Sequence, residues 1–108
     1  MNESEFNACA EGALAAIVRA LEASAVECDS GFKGEGVLEL EFEGRSKIIV
    51  NRHGPAREIW VAARSGGYHF RFEGNCWVNT RDGEELFAAL SRYVSEQSGS
   101  AVVLSAGG

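Results

Sequence analysis

Apolar residues recur at helical spacing near the start of the chain. Phe6, Ala10, Ala13, Leu14, Ile17 and Leu21 fall on one stripe, which predicts a single amphipathic helix over residues 3–23. Asn2, with Glu5 three residues on, has the form of an N-terminal capping box. After Ala25 the period drops to two. Leu38, Leu40 and Phe42 alternate with Glu39, Glu41 and Glu43, and Ile48 and Val50 with Lys47, Ile49 and Asn51. Ile59 and Val61 alternate with Glu58, Trp60 and Ala62, and Tyr68, Phe70 and Phe72 with His69, Arg71 and Glu73. Each run predicts a half-buried strand. The breaks between them, Gly44, Gly54-Pro55, Gly66-Gly67 and Gly74-Asn75, are short turn signals that make successive strands antiparallel neighbours. Asp82, with Glu85 three residues later, predicts the cap of a second helix striped by Leu86, Phe87, Leu90, Tyr93 and Val94 and ended by Gly99. A short apolar tail, residues 101–104, follows.

The order is helix, meander, helix, tail. An antiparallel sheet with one apolar face needs a cover, and two terminal amphipathic helices supply it. The expected fold is α+β, a two-layer α-β sandwich. Its antiparallel sheet has five to seven strands, covered on one face by the N- and C-terminal helices, in one domain over residues 1–108. The other face is open and carries Glu39, Glu41, Lys47, Ile49, Asn51, Glu58, Trp60, His69 and Arg71. A tryptophan in the middle of a bare sheet, ringed by polar groups, has the composition of a contact residue. The local alternative is a stack with His69 or Arg71 on the neighbouring strand.

Composition narrows the classes. With 108 residues, 45% apolar and 24% charged, the chain supports one core. No apolar run is long enough for a membrane span. The opening MNESEF has neither the basic start of a secretory signal nor the character of a transit peptide, which points to the cytosol. Cys9, Cys28 and Cys76 are odd in number and widely spaced, and read as free thiols in a reducing compartment. Charge is uneven. Residues 1–43 hold ten acids and two bases, and residues 44–108 hold six acids and eight bases. The acidic half repels phosphates and disfavours nucleic acid; it favours cations or a basic protein surface.

No catalytic constellation emerges. His53 falls in a turn and His69 on the open face, and the sequence has no nucleophile elbow or phosphate loop; Gly34 and Gly36 in GFKGEGV read as a hairpin turn. The chain is not expected to be an enzyme. The acids carry more. Glu11 and Glu22 share one edge of the first helix about 16 Å apart. Glu27 and Asp29 share one face of the first strand. If that strand lies at the sheet edge beside the helix, the four form an acidic ridge. Oxygen-only ligands suit hard cations such as iron, manganese, magnesium or calcium. The spacing implies weak, hydrated binding at several points. An acidic edge that blocks aggregation accounts for the same residues.

The opening MNESEF, the GVLELEFEGRSKIIVNR segment, the P-x-x-x-IWVA strand, SGGYHF and the W-x-x-x-R-x-G run resemble the bacterial frataxin (CyaY) family, in order along nearly the whole chain. The resemblance implies the sandwich reached above. It further implies a non-enzymatic cytosolic role: weak iron binding (ferrous or ferric, with other divalent cations open) and docking on the cysteine desulfurase and the iron–sulfur scaffold protein to regulate cluster assembly. On it the metal residues are Glu3, Glu11, Glu22, Glu27 and Asp29, and the partner-binding residues Asn51, Arg52, Glu58, Trp60, His69 and Arg71. A monomer is expected, with iron-dependent oligomers left open. Departures thin the ridge. Val18-Arg19 stands where relatives often carry an acidic pair, the helix-to-strand connection ASAV is uncharged, and Asn7 replaces a frequent histidine. Glu58 stands where related proteins often have glutamine. An iron metallochaperone or store, and an acidic interaction domain with no specific metal role, are the alternatives.

Overall fold

The first helix, α1, runs Glu3–Ala23 in a computed structural model of the chain that describes residues 1–106. The one-domain expectation reaches Gly108, and its last two residues lie outside the described residues. The Asn2 side chain accepts from the Glu5 N–H at 2.8 Å, and the Glu5 carboxylate accepts from the Asn2 N–H at 2.9 Å. Two donors that the first turn would leave unpaired are thereby satisfied reciprocally. The predicted stripe, together with Ala20, is the buried face.

Six strands follow: β1 (Cys28–Phe32), β2 (Val37–Phe42), β3 (Lys47–His53), β4 (Glu58–Ala63), β5 (Gly66–Glu73) and β6 (Cys76–Asn79). They form one sheet in the order β1-β2-β3-β4-β5-β6, every neighbouring pair antiparallel. Short turns pair each strand with its neighbours in sequence. Leu38, Leu40, Phe42, Ile48, Val50, Ile59, Val61, Phe70 and Trp77 are buried beneath the helices. The alternate positions make the open face. Phe6 meets Trp77 edge-on at 6.0 Å, joining the first turn of α1 to the last strand.

The second helix, α2, spans Leu86–Ser98, and its cap differs from expectation. Glu85 is the N-cap. Its carboxylate accepts from the Phe87 N–H at 2.8 Å and the Ala88 N–H at 3.1 Å. Asp82 serves the turn before it, accepting from the Glu84 N–H at 2.9 Å. The reason is local. Gly83 sits in the left-handed region at φ 79, and its N–H is spent on the Asn79 carbonyl, so the chain is still turning at Asp82 and cannot yet be helical. Gly99, also left-handed, ends α2 as the sequence predicts. Beyond it Val102 and Leu104 are buried. Ser95 Oγ accepts from the Val102 N–H at 2.9 Å and Ser91 Oγ from the Leu104 N–H at 2.8 Å, tying the tail to α2.

Candidate functional site

The open face is built by register. Asn51, Trp60 and His69 lie side by side across β3, β4 and β5, with Glu58 paired to Arg71 on β5 and to His53 on β3. Trp60 is half-buried, not fully wet. His69 stacks on one face of its indole, with centroids 4.4 Å apart and planes 10° from parallel. His53 covers the other face at 3.6 Å and 9°. The predicted His69 stack is therefore present; Arg71 turns away and pairs with Glu73 at 2.7 Å. His53 corrects the sequence reading. It is the last residue of β3, not part of the turn, and its Nδ1 accepts from the Ala56 N–H at 3.2 Å. That bond puts the proton of neutral His53 on Nε2.

Glu58 ties the stack together. Its Oε1 accepts from the Trp60 Nε1–H at 2.8 Å and lies 3.6 Å from His69 Nδ1. The indole thus has both faces and its N–H engaged, and only its edge meets solvent. Beside it Ile49, Ala62 and Gly67 floor a shallow depression of about 230 Å³. An apolar floor next to a rigid aromatic wall has room for one apolar side chain.

Arg52 lies elsewhere. It shares its side of β3 with Ile48 and Val50, so it points toward the helical layer. There it contacts Glu11 of α1 at 2.6 Å and Glu35 of the β1–β2 turn at 3.2 Å. One predicted partner residue and one predicted metal residue are in this way joined to each other.

The remaining acids divide between the two layers. Glu3 and Glu22 are exposed on α1, nineteen residues or roughly 28 Å apart along its axis. Asp29 lies on the open-face side of edge strand β1, paired with Glu41. With Glu27, Glu43 and Arg45 these two line an open depression of about 480 Å³. The alternation of Glu39, Glu41 and Glu43 with Leu38, Leu40 and Phe42 puts Glu41 and Glu43 on this side, whereas Arg45, in the turn beyond β2 at φ 70, follows from no periodicity. Among the described residues no three His, Cys, Asp or Glu side chains converge as a group able to hold a metal ion. Cys28, beside Asp29 in sequence, faces the helices. Burial, reinforced by the Asp29 charge, pushes its thiol pKa up, which disfavours the thiolate.

The sequence and fold have known relatives. A family model described as a frataxin-like domain matches residues 1–100. A protein of Dechloromonas aromatica named iron-sulfur cluster assembly protein CyaY is 58% identical over 96% of this chain and 99% of its own length. One of the same name from Cupriavidus pinatubonensis is 51% identical over 96% of each chain. Among solved structures, a frataxin of the CyaY family from Psychromonas ingrahamii superposes with a TM-score of 0.89 at 31% identity, over 97% of this chain and 99% of that one. Trimeric frataxin from yeast, solved in a ferrous complex, gives 0.70 at 26% identity over 84% of this chain and 86% of that one.

Proposed function

The chain belongs to the frataxin-like domain family, and from that membership we propose that it is a non-catalytic regulator of iron–sulfur cluster assembly, binding iron weakly and docking on a cysteine desulfurase and its scaffold protein in the bacterial cytosol. The observation that carries this reading is the 58% identity, end to end, with a protein named for iron–sulfur cluster assembly.

Iron is the cargo. Glu27 and Asp29, with Glu41 and Glu43 in the same depression, present hard oxygen donors in a setting open to water. Glu3 and Glu22 add exposed single carboxylates. Glu11 contributes least, because Arg52 already neutralises it. An ion held by one or two carboxylates and its own water is bound weakly and released readily, which suits regulation better than storage. Docking uses the stacked ridge of Trp60, with Asn51, Glu58, His69 and Arg71 as its polar surround. Arg52 acts at a distance, by fixing the β1–β2 turn against α1.

A pull-down from bacterial cytosol at low and high salt tests the reading. Capture of a cysteine desulfurase at low salt and its loss at high salt is expected, since exposed charges are screened. Recovery of unrelated partners alone sinks it. Added iron should broaden the amide signals of Glu27, Asp29 and Glu41 first; broadening centred on His69 or Cys76 would move the metal site.

A further inference from the structure

We propose that the free edge of β1 receives an extended segment of a partner protein whose side chains alternate between apolar and basic, adding a seventh strand to the sheet. The inference rests on the docking reading above and adds to the Trp60 face a second contact, at the acidic edge, where basic side chains of the partner would compete with iron for the same carboxylates.

Among the described residues β1 is an edge strand, paired only with β2. The Lys33 N–H donates to the directly opposite Val37 carbonyl at 2.9 Å, which makes these two a hydrogen-bonded pair. Antiparallel pairs alternate, so Gly31 and Asp29 spend their backbone groups on β2, while Phe32, Ser30 and Cys28 turn theirs outward. Three consecutive outward positions offer six donors and acceptors in the spacing of a missing strand.

The two sides of this edge differ in chemistry. Phe32, Ser30 and Cys28 pair with Leu38, Leu40 and Phe42, so their side chains lie on the helical side. α1 does not reach over Phe32, which is 55% exposed. With Leu14, Gly34 and Gly36 it lines an apolar groove of about 310 Å³, bounded by Glu11 and Glu35, the two carboxylates held by Arg52. On the other side stand Asp29, Glu27, Glu41 and Glu43, around a depression whose one basic lining residue is Arg45, with Lys47 on β3 across from Glu41 and bonded to Glu39. Side chains of an added strand would also alternate with period two. Apolar ones would then enter the groove beside Phe32, and lysines or arginines would face the four acids.

A second copy of this chain is a poor occupant. Pairing β1 with β1 brings the Asp29 and Glu27 sides of two chains of net charge −6 together on one face, and the two copies repel. The acids that repel a copy admit a basic strand.

The test uses the ¹⁵N-labelled full chain and a capped seven-residue peptide of alternating lysine and valine. Two controls are the same residues in blocks, and the alternating peptide N-methylated so that it cannot complete a ladder. With the alternating peptide, the Ser30 and Phe32 amides should exchange at least tenfold more slowly and show contacts to the peptide backbone. Neither control should do so. Equal perturbation by all three peptides, with Ser30 and Phe32 unprotected, overturns the inference and leaves simple charge attraction. Failure here leaves desulfurase capture by the whole chain untouched, whereas failure of capture alongside peptide addition overturns the docking reading instead.

Discussion

His53 and Trp60 stack face to face, their centroids 3.6 Å apart and their planes 9° from parallel, at the point where β3 leaves the sheet. The tryptophan on the open face is therefore part of the fold as well as part of a surface. Each stacked pair is worth about 0.5–1.5 kcal/mol. His53→Ala should lower the unfolding free energy by about 1 kcal/mol. Trp60→Ala removes both stacks and the Glu58 bond and should cost about 2 kcal/mol. Urea denaturation measures both, with an unchanged slope expected. A loss below a few tenths for Trp60→Ala would mean the rings do not pack together in solution.

Gly36 and Arg52 constrain one another. Gly36 has φ 75, and a Cβ added there would sit 2.9 Å from Arg52 Nε and 3.2 Å from Arg52 Cβ. The Gly36 carbonyl also accepts from the Arg52 N–H at 2.8 Å. Gly36→Ala is expected to destabilise by about 1–3 kcal/mol, through the left-handed backbone and the contact together. Adding Arg52→Ala should recover only the guanidinium part of the contact, since alanine keeps the Cβ. A double mutant that merely sums the two single losses would show that the side-chain contact is not the cause.

Tyr93 is 1% exposed, and among the described residues its hydroxyl has no hydrogen-bond partner. Burial, then the neighbouring Tyr68, pushes its pKa from 10.0 up to about 12. A phenol held protonated in the folded state contributes stability that is fully present below its unfolded pKa. That contribution is lost as pH rises through the folded value, so the window is pH 10 to 12. Tyr93→Phe should flatten the decline in stability across that window, and at neutral pH it should be neutral or stabilising by up to about 1 kcal/mol. Thermal melts of both proteins from pH 7 to about pH 12 decide it. Parallel pH profiles would clear Tyr93 of any part in alkaline unfolding.

The tail contributes through Val102 and Leu104, both buried, and through the hydroxyls of Ser91 and Ser95. Removing residues 101–108 should cost about 2–4 kcal/mol, the burial of two aliphatic side chains less the entropy of ordering them. Ser95→Ala should cost about 1 kcal/mol. Denaturant midpoints measure the series. A truncated chain as stable as the full one would show that α2 holds without the tail.

Much of this was legible in periodicity. The alternation of Leu38, Leu40 and Phe42 against glutamates fixes both the strand and its buried side, and the register follows it. The same rule places Arg52 with Ile48 and Val50, on the helical side, but a cation at an apolar position does not announce which acids it will meet. Contacts with Glu11 and Glu35, 41 and 17 residues away in sequence, depend on how α1 and the β1–β2 turn lie together. His53 was hidden because Gly54-Pro55 signals a turn without saying where the ladder stops. Glu85 displaced Asp82 as the cap because both acids precede an apolar stripe, and the left-handed turn at Gly83, with the bridge between Val78 and Glu85 after it, delays the helix start.

The strictly sequential strand order has a consequence for synthesis. Each strand pairs with the one before it, so the sheet can be laid down hairpin by hairpin as the chain is made, without waiting for distant segments. The half of its apolar face that α2 covers is different. Phe70 and Trp77 are in place before Leu86, Leu90 and Val94 exist to shield them. A nascent chain that has emerged through β6 but not yet through α2 therefore holds a sheet with the α2 half of its oily side bare, the state in which this chain is most exposed to aggregation and to capture by chaperones.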